Sequence, residues 1–222
     1  GFIDSLNDGE ELTIEKRQYF ALAAYEQTAA YDSAIANELH NRWIGAAESF
    51  HDKEEQAARL PSLLSFTASM NHPLRYGENG HQAAGLYNDH GDISETLVGA
   101  LVEGGKEMSY NNYSDADATL RLCRSLSTDE WPDTPHACVI VKHNNPCGAA
   151  LGATQVEALK AALASDPESA FGSLICFNEQ LNLETAQEME SLFIEVLMAP
   201  SYNEGAKAKV MEKGNRRILT IK

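Results

Sequence analysis

No stretch of this 222-residue sequence approaches the roughly 18 consecutive apolar residues that a membrane-spanning helix needs. Its start, GFIDSLNDGEEL, is acidic rather than basic-then-apolar, so no secretory leader is expected there. Cysteine is sparse and never in a C-x-x-C pair: Cys123, Cys138, Cys147 and Cys176 stand apart. Cys138 and Cys176 lie in apolar runs, where a thiol packs as a small hydrophobe; all four are read as reduced and the compartment as cytoplasmic. Positive charge is also scarce, with 17 Lys and Arg against 33 Asp and Glu, a net charge of −16. That balance repels nucleic acid and anionic membrane, so neither is an expected partner. A small phosphorylated ligand is not excluded, because it needs only local cations.

Common ligand signatures are missing as well. No G-x-G-x-x-G follows a strand pattern, and Gly104-Gly105-Lys106 lacks the rest of a P-loop. Pro146-Cys147 is followed by Gly148, Ala149 and Ala150, so the second cysteine of a deaminase zinc site is absent and no metal is expected. There are no internal repeats and no low-complexity tracts.

What is present reads as α/β. Residues 13–39 are rich in helix formers, with Phe20, Ala24, Thr28, Tyr31 and Ile35 at steps of three and four, an amphipathic helix or a helical pair broken near Gln27–Thr28, whose tyrosines suit a core. Residues 40–60 read as a charged helix and a linker ending at Pro61, and LLSFTAS (63–69) as a strand. Ser114 is placed as the N-cap of a helix with Asp115 and Asp117 in its first turn. From residue 137, ACVIVKH, SLICFN, EVLMA and RILTI read as strands. Helices lie between them, opened by capping boxes at Thr154/Glu157 and Ser201/Glu204, with Gly214 as a stop. Strands alternating with helices predict a largely parallel sheet.

Three segments invite a functional reading. VIVKHNNPCGAALG runs four apolar residues straight into Lys142 and His143. Either the pair simply reaches water at a strand end, or His143 is a general base beside a lysine that stabilises negative charge, at the strand's carboxyl end where α/β ligands sit. RYGENGHQ (75–82) is either a polar turn or an anion-binding loop with glycine-exposed amides and Arg75 as charged fork. In SDPESAFGS, Gly172 is either a turn glycine or a point of close approach to a flat ligand.

Taken in order, LRYGENGHQ, SYNNYSDADATLRL, VIVKHNNPCGAA, DPESAFGSLICFN and FIEVLMAPSYNEGA resemble successive blocks of the AICAR transformylase family, the formyltransferase part of a bifunctional purine biosynthesis protein with IMP cyclohydrolase. AAYEQTAAYDSAIANEL resembles the segment joining the two halves. The resemblance implies a cytidine-deaminase-like three-layer subdomain with a largely parallel sheet over residues 61–222, preceded by a helical linker over 1–60. It implies that the cyclohydrolase domain and a second transformylase subdomain lie outside this chain, which the missing helix after RILTI also suggests. It implies formyl transfer from 10-formyltetrahydrofolate, as co-substrate, to AICAR, with no metal, in a homodimer. His143 is then the base and Lys142 the transition-state stabiliser, while Arg75, Tyr76, Gly172 and Glu195 bind substrate. Three positions depart from the family pattern: Gly80 for a usual proline, Asn144 at a tolerant site, and Ser173 for a frequent glycine. The main alternative is a non-catalytic purine-nucleotide-binding α/β module. A zinc deaminase lacks its ligands, and a purely structural protein leaves Arg75, Lys142 and His143 unexplained.

Overall fold

The computed structural model describes residues 2–7, 9, 12–45, 60–61, 63–89, 91–126 and 130–221. Of the charged helix and linker expected over 40–60, residues 46–59 fall outside the described residues. The chain divides into two units, residues 1–69 and 70–222.

In the first unit, α1 (Phe2–Asn7) precedes the 27-residue α2 (Ile14–His40). Thr13 caps α2 by accepting from the Lys16 N–H, and a π-helical turn, Asn41–Gly45, follows. Among the described residues none of the α2 side chains is buried, and Tyr25 and Tyr31 are exposed. The tyrosines expected in a core are therefore not in one. Besides its backbone bonds and cap, the helix has Asn37 Nδ2 donating to Ser65 O at 3.2 Å and Arg17 Nε donating to Leu12 O at 3.1 Å.

In the second unit, β1 (Ser69–Leu74) and β2 (Ala84–Asn88) form a two-stranded sheet whose connection carries Arg75 to Gln82. The strand expected at 63–69 is displaced to 69–74, and Leu63, Leu64 and Phe66 are exposed without regular pairing. The remaining strands are β3 (Leu101–Glu103), β4 (His136–Lys142), β5 (Asn145–Gly152), β6 (Ser173–Phe177), β7 (Ile194–Ala199) and β8 (Arg217–Thr220). They form one sheet in the order β3-β8-β7-β6-β4-β5. β4 alternates its side chains between two cores. Ala137, Val139 and Val141 face α3 (Tyr110–Ser125), while Cys138 and Ile140 join α4 (Gln155–Ser165), α5 (Leu183–Glu188) and α6 (Glu204–Met211) on the other face. The result is a three-layer α/β/α unit.

The sheet is mixed, which corrects the largely parallel expectation. Only β6–β7 and β7–β8 are parallel; β3–β8, β4–β5 and β4–β6 are antiparallel. The reason lies in VIVKHNNPCGAALG, which is a hairpin and not a strand feeding a crossover. Lys142 pairs with Asn145, leaving His143 and Asn144 as a two-residue turn, both at positive φ (53° and 61°). Two central residues of that kind match a type I′ turn, the tight connection that suits strand twist. The chain then returns along β5, so the α4 crossover starts from the opposite end and delivers β6 antiparallel to β4. Pro146 is tolerated because β5 is an edge strand, and Cys147 is the extra residue of a bulge between the pairs Val141–Pro146 and Ile140–Gly148.

Helix starts also differ from expectation. α3 begins at Tyr110, capped by Ser109 and Asn112 rather than Ser114, and α6 is capped by Asn203 rather than Ser201. Thr154 caps α4 as expected, but the Glu157 carboxylate reaches the Ala153 N–H.

A Cβ at Gly148 would stand 2.0 Å from the Ala162 carbonyl oxygen, so α4 lies against bare β5 backbone there. Gly148→Ala is expected to destabilise the unit by about 1–3 kcal/mol, read as a lower denaturant midpoint, because backbone must move to relieve the contact. An unchanged midpoint would contradict this packing.

Candidate active site

A cleft of about 470 Å³ opens where β4 ends and where β6, β7 and β8 begin, with the start of α3 as its wall. The expectation of a site outside the carboxyl ends of strands holds for β4 alone. The parallel strands present their amino ends, because β4 runs opposite to them. Arg75, Tyr76, Lys142, His143, Gly172 and Glu195 all line this cleft. Sequence reasoning gave no site role to Lys106, Ser109, Asn112, Asp115, Phe193 or Arg217, which line it too.

His143 occupies the turn itself and is exposed, while Lys142 is the last residue of β4 and partly buried. The Lys142 ammonium donates to the Phe171 carbonyl at 2.7 Å. That carbonyl is offered by a turn in which Gly172 takes φ 73° and donates its N–H to Phe193 O at 2.8 Å. A left-handed residue is required here, and glycine adopts it without strain. The Phe171 and Phe193 rings lie 5.0 Å apart at the rim. Beneath the turn, buried Asp115 of α3 accepts from the Asn144 N–H at 2.7 Å.

Part of the 75–82 loop's backbone N–H set is spent within the loop. Gly77 N–H donates to Gln82 O at 2.9 Å, and Asn79 N–H donates to Gln82 Oε1 at 2.8 Å. The expectation of glycine-exposed amides gripping an anion is thus corrected for Gly77 and Asn79. The Arg75 guanidinium at the start of this loop lies 5.1 Å from the Tyr76 ring centroid. Asn111 Nδ2 ties the loop to α3 by donating to Glu78 O at 3.3 Å. A side chain at position 80 would meet open space, so packing does not demand glycine there.

Glu195, near the start of β7, accepts from Asn112 Nδ2 at 3.0 Å and lies 4.0 Å from the Arg217 guanidinium. Arg217 is 8% exposed and donates to Lys106 O at 2.6 Å and Glu107 O at 3.4 Å. Burial lowers its pKa; Glu195 opposes that shift and the charge of Arg75 adds to it. Arg75, Lys106, Lys142 and Arg217 thus gather four cations at one cleft of a chain with net charge −16. Such a cleft suits an anionic ligand carrying polar groups for Glu195 and Asn112 to recognise.

Cys147, close in sequence to His143, packs against the opposite core, and burial pushes its thiol pKa up. It is a poor nucleophile in that setting. Among the described residues no group of three or more His, Cys, Asp or Glu could hold a metal ion, and no helix is long and apolar enough to cross a membrane. The signals for the missed residues were present but faint: Ser109-x-x-Asn112 is a capping pair, and Arg216-Arg217 puts two scarce cations at the mouth of an apolar strand.

A family model described as AICARFT/IMPCHase bienzyme matches residues 1–222.

The cleft wall depends on where α3 begins. Ser109→Ala removes the hydroxyl that accepts from Asn112 N–H and is expected to cost about 0.5–2 kcal/mol in a denaturant titration. An unaltered stability would mean that the cap does not hold the helix start.

Proposed function

Because the chain belongs to the AICARFT/IMPCHase bienzyme family, and so to purine biosynthesis, we propose that it serves the formyltransferase activity, moving a formyl group from 10-formyltetrahydrofolate to the 5-amino group of AICAR. Residues 61–222 act as a first subdomain of cytidine-deaminase-like kind, and residues 1–60 as a helical linker. The observation that carries this reading is the meeting of His143, Lys142 and Arg75 in one cation-lined cleft.

The acceptor amine is a weak nucleophile, since its lone pair is drawn into the ring and the neighbouring carboxamide. Its attack on the formyl carbon forms the new C–N bond, and His143 takes the amine proton. The Lys142 ammonium opposes the charge on the developing oxyanion. Collapse breaks the bond to the donor's nitrogen, which takes up a proton. Arg75, with Arg217 and Lys106 nearby, holds the phosphate, and Tyr76 lines the same wall. Gly172 lets a flat ring approach the main chain, and Glu195 accepts hydrogen bonds from the substrate's N–H groups.

His143 is exposed, whereas acyl transfer needs water kept away from the reacting carbon. The proposal therefore includes closure by a second subdomain and a partner subunit in a homodimer, with little or no turnover from these 222 residues alone. The four free thiols suit a cytoplasmic enzyme. In the complete enzyme, His143→Ala and Lys142→Ala are each expected to lower kcat by about 10²–10⁴-fold. Near-normal turnover in His143→Ala would remove its role as base.

A further inference from the structure

We propose that Asp115 is the positioning residue for the catalytic histidine, acting through the backbone of the His143–Asn144 turn. Neither turn residue is glycine, yet both hold positive φ, a conformation that L-residues adopt at a cost. A turn of this kind persists where its surroundings hold it, and the hold here comes from α3. Asp115 is buried, and its Oδ1 accepts from the Asn144 main-chain N–H at 2.7 Å, a short bond. The Asn144 side-chain amide lies 3.0 Å from the Ser114 hydroxyl and, with its nitrogen turned to α3, reaches the same Asp115 oxygen at 3.3 Å.

The helix thus grips Asn144 by main chain and side chain, and His143 is the residue whose direction this sets. Asp115 stands at the cleft wall, but the contacts of its Oδ1 run to the turn. Its Oδ1 is engaged by the turn, and its own main-chain carbonyl accepts from Thr119 Oγ1 at 2.6 Å. Its influence on catalysis passes through the orientation of the imidazole, where a misplacement of about 1 Å can cost about 10²-fold in rate.

This inference rests on the reading of His143 as base, and the test separates the two. Amide exchange of Asn144 is measured on this chain, and steady-state kinetics on the complete enzyme, for wild type, Asp115→Asn, Asp115→Ala and the double variant Asp115→Ala/Asn144→Gly. Alanine strengthens the helix but removes the acceptor; asparagine keeps an acceptor oxygen; glycine adopts the left-handed conformation unaided. The expected result for Asp115→Ala is Asn144 exchange faster by about tenfold or more, with kcat down about 10–100-fold and KM for AICAR within about threefold. Asp115→Asn stays within about threefold of wild type in kcat, and the double variant recovers much of the loss.

Unchanged exchange in Asp115→Ala overturns the inference, whatever the kinetics. So does Asp115→Asn falling as far as alanine, since charge rather than the bond to the turn would then matter. Wild-type kcat in Asp115→Ala alongside an inactive His143→Ala overturns it too, while leaving the base intact. An active His143→Ala sinks the catalytic reading instead, and the exchange data still decide whether Asp115 holds the turn.

Discussion

The β4–β5 connection places two consecutive non-glycine residues in the left-handed region, and both the sheet and the cleft depend on that turn. Because it is only two residues long, β5 must return antiparallel to β4, which sends the α4 crossover back to the far end and brings β6 in against β4. The same geometry sets the carboxyl end of β4 beside the amino ends of β6, β7 and β8. Lys142 and His143 therefore meet Gly172, Glu195 and Arg217, residues that a fully parallel sheet would carry to the opposite side. The close approach at Gly148 and the bond from Asn144 to Asp115 hold this connection from either face of the sheet.

Charge is arranged against the overall balance of the chain. Four cations line a single cleft, and one, Arg217, is buried among main-chain carbonyls with Glu195 as its nearest acid. A buried guanidinium held by carbonyls is already desolvated and oriented, so a ligand anion meets a preformed field. Phe171 and Phe193 at the rim add an apolar edge next to the Lys142 ammonium. An anionic, partly flat ligand fits such a surface better than a neutral or a cationic one.

Much of this was visible in the sequence, but unevenly. Four of the five strands from residue 136 onward stand out because each is built on an apolar run, whereas β5 is not. Arg75, Lys142, His143 and Gly172, chosen from the motifs, line one cleft together with Tyr76 and Glu195, which only the family resemblance indicated. The reversal at His143–Asn144 was not visible. Asn-Asn-Pro suggests a turn two residues long without fixing which two, and Asn145-Pro146 disfavours a strand until β5 is known to be an edge. The true start of α3 was hidden by Ser114, a better-looking cap than Ser109 beside Asn112. Arg217 was missed because a cation flanking an apolar run usually marks its solvent end, whereas here tertiary carbonyls from Lys106 and Glu107 draw it inside. Asp115 looked like a first-turn acid, and only the fold shows the backbone N–H that it holds.

The central claim is that this cleft recognises a phosphorylated aminoimidazole substrate through Arg75, and a calorimetric titration of the chain with AICAR tests it most directly. The account predicts measurable binding by wild type and an affinity lower by about tenfold or more in Arg75→Ala, the loss of one charge-assisted contact to phosphate. No binding by the wild-type chain, or equal affinity in the two proteins, would contradict it.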